Sequence, residues 1–464
     1  MTTAGRSAGG RGSILDRVLL AFAPVRAGEG GLVLLMAVNV FLLLTSYYII
    51  KPVREALILA DWGAEIKIYA SAGQALLLVG IVPLYSRLAG LMNSRRLITT
   101  VLAFFAACLG LFYLLARAGL PVGIAFYLWV GVFNLMVVAQ FWSFANDVYT
   151  PEAGKRLFAI IGFGMSSGAV FGSFITGRLI EPLGVQQLLL LAGVLLLVSL
   201  GLTRWSDTLA RRSPDPGSPQ PAVEPDAPLK GRGGFALVFG NRYLLMIGVM
   251  LILANLVNTT GEYILGARVK ADQEAALEAI VRAPGMSEEA YAAAVAERSV
   301  RVGKAIGGFY ADFFGIVNLV SMLTQLFLVA RLVAWIGVRR AVAVLPLVAM
   351  GGYAVIALVP ALAAARWAKT AENATDYSLQ NTVRNMLFLP TNREEKYKAK
   401  QAIDTFFVRV GDVLAALLVL GGTAVLHLSP RSFAGINIVL ASAWLVLALA
   451  IGRRFVDLSK SRSI

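Results

Sequence analysis

Residues 31–60 read "GLVLLMAVNVFLLLTSYYIIKPVREALILA". The first twenty carry no charge, and at about 1.5 Å rise per residue they form a helix of about 30 Å, the thickness of a bilayer's hydrocarbon core. This run passes directly into Lys51, Pro52, Arg54 and Glu55 and then turns apolar again. A charge at mid-bilayer costs ~2.5–3.5 kcal/mol on insertion scales, so such residues either snorkel to the headgroups or face a water-filled cavity. The continuation "EALILA" favours the cavity, and Pro52 removes the hydrogen bond to the Tyr48 carbonyl, loosening the helix at that turn. Lys51 and Glu55 stand four apart on one helix face and are expected to pair when no substrate is bound.

The rest of the chain repeats the apolar pattern. Of 464 residues, 58% are hydrophobic and 15% charged, and the mean hydropathy is +0.73, which places the chain among polytopic membrane proteins. Runs of spanning length fall near 31–50, 67–89, 97–117, 121–144, 158–180 and 184–203, then near 243–265, 308–334, 339–362, 371–390, 402–426 and 432–452. The tenth carries Glu372, Asp376 and Arg384 and is included because a span lining an aqueous cavity tolerates a polar face. Between the two sets lies "DTLARRSPDPGSPQPAVEPDAPLKGRGG" (207–234), a Pro- and Gly-rich polar linker. The expected organisation is a tail 1–30, a six-helix half 31–203, a linker 204–238 and a second half 239–464. Twelve transmembrane helices in two pseudo-repeated halves make an all-α, major-facilitator-like membrane protein.

The formal net charge of +15 resides largely in short loops between apolar runs, where it sets topology and requires no nucleic-acid partner. Arg95, Arg96, Lys155, Arg156, Arg211, Arg212, Arg339, Arg340, Lys396, Lys398, Lys400, Arg453 and Arg454 all fall on one side if both termini are cytoplasmic, as expected for a monomer in a cell inner membrane. The exception, about 268–305, balances Arg282, Arg298 and Arg301 with acidic residues; it reads as an extracytoplasmic insertion of two surface helices, the second capped by Ser287. The loop "RLAGLMNSRRLI" from Arg87 recurs as "RLVAWIGVRRAV" from Arg331, 244 residues later, and the same offset sets Lys155 and Arg156 beside Lys398 and Lys400. Two homologous halves account for both matches.

One cysteine (Cys108) and one histidine (His427) leave no disulfide framework, metal cluster or histidine dyad, and no cofactor is expected. Gly164, Gly168 and Gly172, at four-residue spacing, read as a helix-packing face; the phosphate-loop Lys-Ser/Thr ending is missing. No nucleophile elbow or kinase-like motif supports an enzyme.

Several stretches resemble the nucleotide translocase family, the ATP/ADP exchangers of plastids and intracellular bacteria: "YYIIKPVREALIL", "FWSFANDVYTPEAGKRLFAIIGFG", "GGFYADFFGIVNLVSMLTQ" and "SLQNTVRNMLFLPTNREEKYKAKQAID". The resemblance implies twelve spans, a facilitator-like fold and nucleotide exchange, with functional lysines in spans one and eleven to which Lys51 and Lys400 correspond. The family also has glutamates in spans four and seven. This chain has "YLWVGVFNL" at the first place and Asn258, with Glu262 one turn later, at the second.

Substrate contacts are expected from Lys51, Arg54, Glu55, Lys155, Arg156, Asn258, Glu262, Asp312, Lys400, Asp404 and Arg409. Lys400 and Asp404 repeat the four-residue spacing, and Arg409 and Asp412 lie deeper in the same span. Asp312 stands between aromatics, where a coupling role and a structural ion pair are both open. The expected function is a secondary transporter whose halves rock about a basic cavity, exchanging nucleotide without hydrolysis. Another organic anion is the near alternative, and a non-transporting receptor or anchor with the same fold is the rival.

Overall fold

The computed structural model describes residues 24–26, 28–91, 94–149, 151–212, 233–277, 286–392 and 395–462, and the order of its elements is wholly helical. The first six rods are α1 Gly30–Asp61, α2 Gly63–Leu91, α3 Ser94–Arg117, α4 Gly123–Val148, α5 Pro151–Leu183 and α6 Val185–Arg212. After a short helix, Gly234–Gly240, come α7 Arg242–Ala276, α8 Glu288–Phe327 and α9 Val344–Leu358. The next rod, α10, joins Leu362–Thr375, a π-helical turn Asp376–Gln380 and Asn381–Met386. In α11, π-helical turns Glu395–Ala399, Ile403–Phe407 and Gly421–Val425 alternate with α-helical Lys400–Ala402 and Val408–Leu420; α12 is Pro430–Arg462.

Eight of these helices are long and apolar enough to cross a membrane among the described residues, and a ninth span results if Val329–Ala341 and Val344–Leu358, bent by 80°, are one. The π turns divide α10 and α11 into α-helical segments of at most 14 residues, each too short by itself to span. For convenience, the face at residues 30 and 462 is termed the tail face, and the opposite end, at Gly63, Gly184 and Ser287, the insertion face.

Three local expectations change. Residues 268–276 and 288–305 form no surface helices of their own, because α7 and α8 run straight through them; Ser287 does cap α8, its Oγ accepting from the Ala290 N–H at 3.1 Å. Residues 278–285 lie outside the described set. The expected eighth span stops at Phe327, and Val329–Ala341 forms a connecting helix interrupted at Gly337, whose φ of 72° an L side chain rarely adopts. Pro52 is accommodated within α1, which stays helical to Asp61, where Gly63 at φ 83° turns the chain into α2.

Small residues set the helix spacing. On α5, Gly164, Gly168 and Gly172 lie directly on the carbonyls of Ala37, Phe41 and Thr45 of α1, so the glycine face is a packing face as expected. Polar pairs then tie α1 to α6: Asn39 Nδ2 donates to Thr203 Oγ1 at 2.8 Å, Ser199 Oγ donates to Asn39 Oδ1 at 2.6 Å, and Ser46 Oγ donates to the Ala192 carbonyl at 2.9 Å. In the second half, Asn437 Nδ2 donates to the Val257 carbonyl at 3.1 Å and Tyr353 Oη packs 3.2 Å from the same oxygen, drawing α12 and α9 onto α7.

The two halves meet chiefly along α5–α8 and α1–α8. Asn318 reaches the Ala169 carbonyl near mid-span; further toward the insertion face, Phe174 lies on Gly315 and Ile180 on Gly307. Lys304 Nζ donates to the Glu181 carbonyl at 3.0 Å, and Ser299 Oγ donates to Asp61 Oδ1 at 3.4 Å. These contacts hold the halves together from mid-membrane to the insertion face.

Candidate functional site

Beneath that closed face is a cavity of about 160 Å³ between α1, α2, α4, α7, α8 and α10. Its cations are Lys51, Arg54 and Lys67; its polar neutral groups include Ser71, Asn258 and Thr259; Glu262 is its carboxylate, and Tyr127, Tyr263, Phe314 and Tyr377 supply aromatic wall. Helical spacing explains the α1 contribution, because Tyr47, Lys51, Arg54, Glu55 and Ile58 recur at three and four residues and share one face.

Lys51 is buried, 8% exposed, and its ammonium lies 3.9 Å from the centre of the Phe314 ring, 5.3 Å from Tyr48 and 5.8 Å from Tyr377. Among the described residues no carboxylate lies within ion-pair distance of it. The expected Lys51–Glu55 pair is therefore not formed. Glu55, fully buried, is taken by its neighbour Arg54, whose Nε donates to Oε1 at 3.1 Å, and by Lys67 of α2, whose Nζ is 2.7 Å from Oε2. Two cations from other positions satisfy the carboxylate better than the residue one turn back, and aromatic faces hold the displaced ammonium through their quadrupoles. Arg54 itself packs 4.5 Å from the Tyr127 ring.

The network continues across the halves. Lys67 Nζ is also 3.6 Å from Glu262 Oε2 of α7, and Glu262 Oε1 lies 3.8 Å from Lys369 of α10 and accepts from Asn373 at 3.2 Å. Lys369, with no measurable exposure, donates to Asn258 Oδ1 at 2.7 Å and pairs with Glu372 at 3.0 Å; Tyr353 Oη donates to the same Glu372 oxygen at 2.8 Å. The linked cluster holds four cations, Lys51, Arg54, Lys67 and Lys369, against three carboxylates, Glu55, Glu262 and Glu372. Among these seven described groups the cations outnumber the carboxylates by one.

The structure thus brings together Lys51, Arg54, Glu55, Asn258 and Glu262 of the expected set. Arg409 and Asp412 adjoin the cavity: Arg409 Nη1 donates to Asp412 Oδ2 at 3.0 Å, and Thr259, a cavity residue, donates to Asp412 Oδ1 at 2.9 Å. Lys400 and Asp404 do pair with each other, but in the π-helical part of α11 beside Phe388 and Arg384, away from the cavity wall. Asp312 is exposed on α8 next to Gly177 of α5 and outside the cavity. Arg156 is at the tail face in a two-pronged ion pair with Glu29, at 2.8 and 3.0 Å; the Lys155 side chain lies outside the described residues. Burial works against ionisation of Glu29, but the hydrogen bonds from Arg156 and the Arg26 N–H outweigh it and keep the carboxyl below its ordinary value.

Lys67 and Lys369 are missing from the sequence-derived set. Lys67 opens the expected span 67–89 and Lys369 lies just before the expected 371–390, where a lysine passes for a loop charge. The available signal was the pairing arithmetic, since Glu55 and Glu262 inside apolar helices both demanded cations. A second cavity, about 600 Å³, near the tail face between the short helix, the start of α7 and Arg454 of α12, contains none of the expected site residues.

No protein-family model matches the chain, and no curated protein matches it. Solved structures do. The nucleoside transporter NupG superposes with a TM-score of 0.61 at 13% identity, covering 92% of this chain and 99% of its own. An auto-inhibited peptide transporter of the POT family gives 0.59 at 15% identity, covering 92% and 97%. A bacterial homologue of the iron transporter ferroportin, in an inward-facing state, gives 0.59 at 14% identity, covering 92% and 98%. At such identities the likeness shows the fold: an all-α membrane protein of major-facilitator type.

Proposed function

We propose that this chain is a secondary transporter of phosphorylated organic anions, with nucleotides as the leading class, working by alternating access of its two halves with both termini cytoplasmic. The observation that carries this reading is Lys51, an interior ammonium facing the cavity without a carboxylate partner among the described residues. An ionised group in the spanning region requires a counter-charge, and an anionic solute supplies it. Arg54 and Lys67 add hydrogen-bond donors for phosphate oxygens, while Phe314, Tyr377 and Tyr127 offer ring faces for a planar base. The NupG likeness supports a facilitator built on the same frame, and NupG is itself described as a nucleoside transporter.

A cavity of about 160 Å³ is below the ~300 Å³ at which small-molecule sites begin, so whole nucleotides fit only after the halves part. Substrate entry and conformational change are then one event. The receptor reading needs both candidate lysines locked in internal pairs; Lys400 is locked on Asp404, but Lys51 is not so held.

Uptake by purified protein in proteoliposomes tests the proposal, using labelled ATP, ADP, AMP, phosphate and nucleosides with and without counter-substrate inside. We expect exchange of phosphorylated solutes and at least a tenfold loss with Lys51→Ala. Uptake of neutral nucleosides alone would overturn it.

A further inference from the structure

Lys67 connects the halves. It belongs to α2, sits 2.7 Å from Glu55 of the same half and 3.6 Å from Glu262 of the other, and is 6% exposed. Lys67 Nζ lies 2.7 Å from Glu55 Oε2 and 3.6 Å from Glu262 Oε2, so the ammonium sits between the two glutamates and Coulomb attraction reaches both. Sorting the cluster by half exposes an asymmetry. Lys51, Arg54 and Lys67 against Glu55 leave the first half with two surplus positive charges; Lys369 against Glu262 and Glu372 leaves the second with one surplus negative charge. Opening the insertion face would draw these opposite surpluses apart in a medium that screens them poorly.

We infer that the Lys67–Glu262 contact is a charge latch that keeps the empty protein closed at the insertion face, and that a bound anion releases it by replacing Glu262 as the counter-charge of Lys67, Arg54 and Lys51. The inference rests on the anion-transport reading for its releasing ligand and deepens it. It makes the transporter an obligatory exchanger, because the empty protein cannot complete the cycle. No covalent step is involved. Lys67 faces Glu262 in the empty state and the anion in the loaded one.

The test separates the latch from the cargo. Spin labels at Leu120→Cys, in the α3–α4 turn, and Val359→Cys, in the α9–α10 turn, both exposed on the insertion face, report the separation of the halves in purified protein carrying Cys108→Ala, which removes the only native cysteine. Without any solute, one short distance should dominate. Glu262→Gln and Lys67→Gln should each raise the ratio of the long-distance to the short-distance population at least about tenfold, as expected when one partner of a buried pair is lost. Lys67→Arg, which keeps the charge, should restore the short distance and shows that the labelled protein folds.

Unchanged distances in both glutamine variants would overturn the latch whatever the substrate. In proteoliposomes, Glu262→Gln should release preloaded nucleotide without counter-substrate while the parent does not. If the parent exchanges no phosphorylated anion but the variants still open, the latch stands and the cargo assignment fails.

Discussion

An ammonium seated on aromatic rings rather than on a carboxylate is what sets Lys51 apart from Lys400, although sequence resemblance gave both the same role. Lys400 has Asp404 and a position outside the cavity wall; Lys51 has the cavity. Thermal unfolding should show this directly, since a ligand that binds only the folded state raises apparent stability by mass action. We expect the ADP-induced shift to vanish in Lys51→Ala and to survive in Lys400→Ala; equal losses would place Lys400 back in the site. Glu29 gives a pH test of a different kind. Its carboxyl is held below its ordinary value, so its contribution to stability is present above the unfolded-state value near 4.5 and disappears as pH falls through the lower folded value. The stability difference between the parent and Glu29→Gln should therefore shrink on acidification below about pH 4.5. Charges inside apolar runs, such as Arg54, Glu55 and Glu262, were legible because hydropathy makes them conspicuous. Lys67 and Lys369 were not, because a lysine at the edge of a sequence-read span looks like topology, and only the folded neighbours reveal a buried partner.

Helix existence was legible where apolar length decided it, as in α1, α3 to α6 and α12. It was illegible in its limits where the chain leaves the apolar range without stopping. The Ala-rich extensions of α7 and α8 look like independent surface helices because nothing in the sequence marks their continuity with the spans. The π turns of α10 and α11 blur the period on which sequence reading depends, since each inserts one residue and rotates everything after it. Beyond these turns Asp412 accepts from Asn255 and Thr259 of α7 and from Arg409, while Lys400 stays off the cavity wall. At the α1–α5 seam the glycine spacing was readable and the contacts agree. Gly168→Leu should separate the helices at the Phe41 carbonyl and destabilise the protein by about 1–3 kcal/mol, the ordinary cost of overpacking. Gly162, which has open space around it, should tolerate alanine with little change in the midpoint of thermal unfolding.

The two-half frame is read from the repeated basic loops, and solved transporters share the overall fold. The proposed selection of cargo by an unmatched charge makes a prediction for the intact molecule: affinity should weaken as salt is raised, to the extent that water reaches the cavity, and should weaken again as phosphate groups are removed from the ligand. Competition by phosphate, AMP, ADP and ATP at two salt concentrations reads both trends, and a flat series would remove electrostatics as the basis of selection. Cysteine scanning in the Cys108→Ala background should also label Gly119 and His427 positions from outside the cell and the Gly240 position only from within. The buried cluster has one more consequence. A resting membrane potential does work of about 2.3 kcal/mol on each elementary charge moved fully across 100 mV, and proportionately less for a fraction of the way. Because the cations of this cluster outnumber its carboxylates, a transport cycle of the proposed kind that shifts the cluster along the membrane normal would carry a gating current, and voltage would become an additional input to its direction and rate.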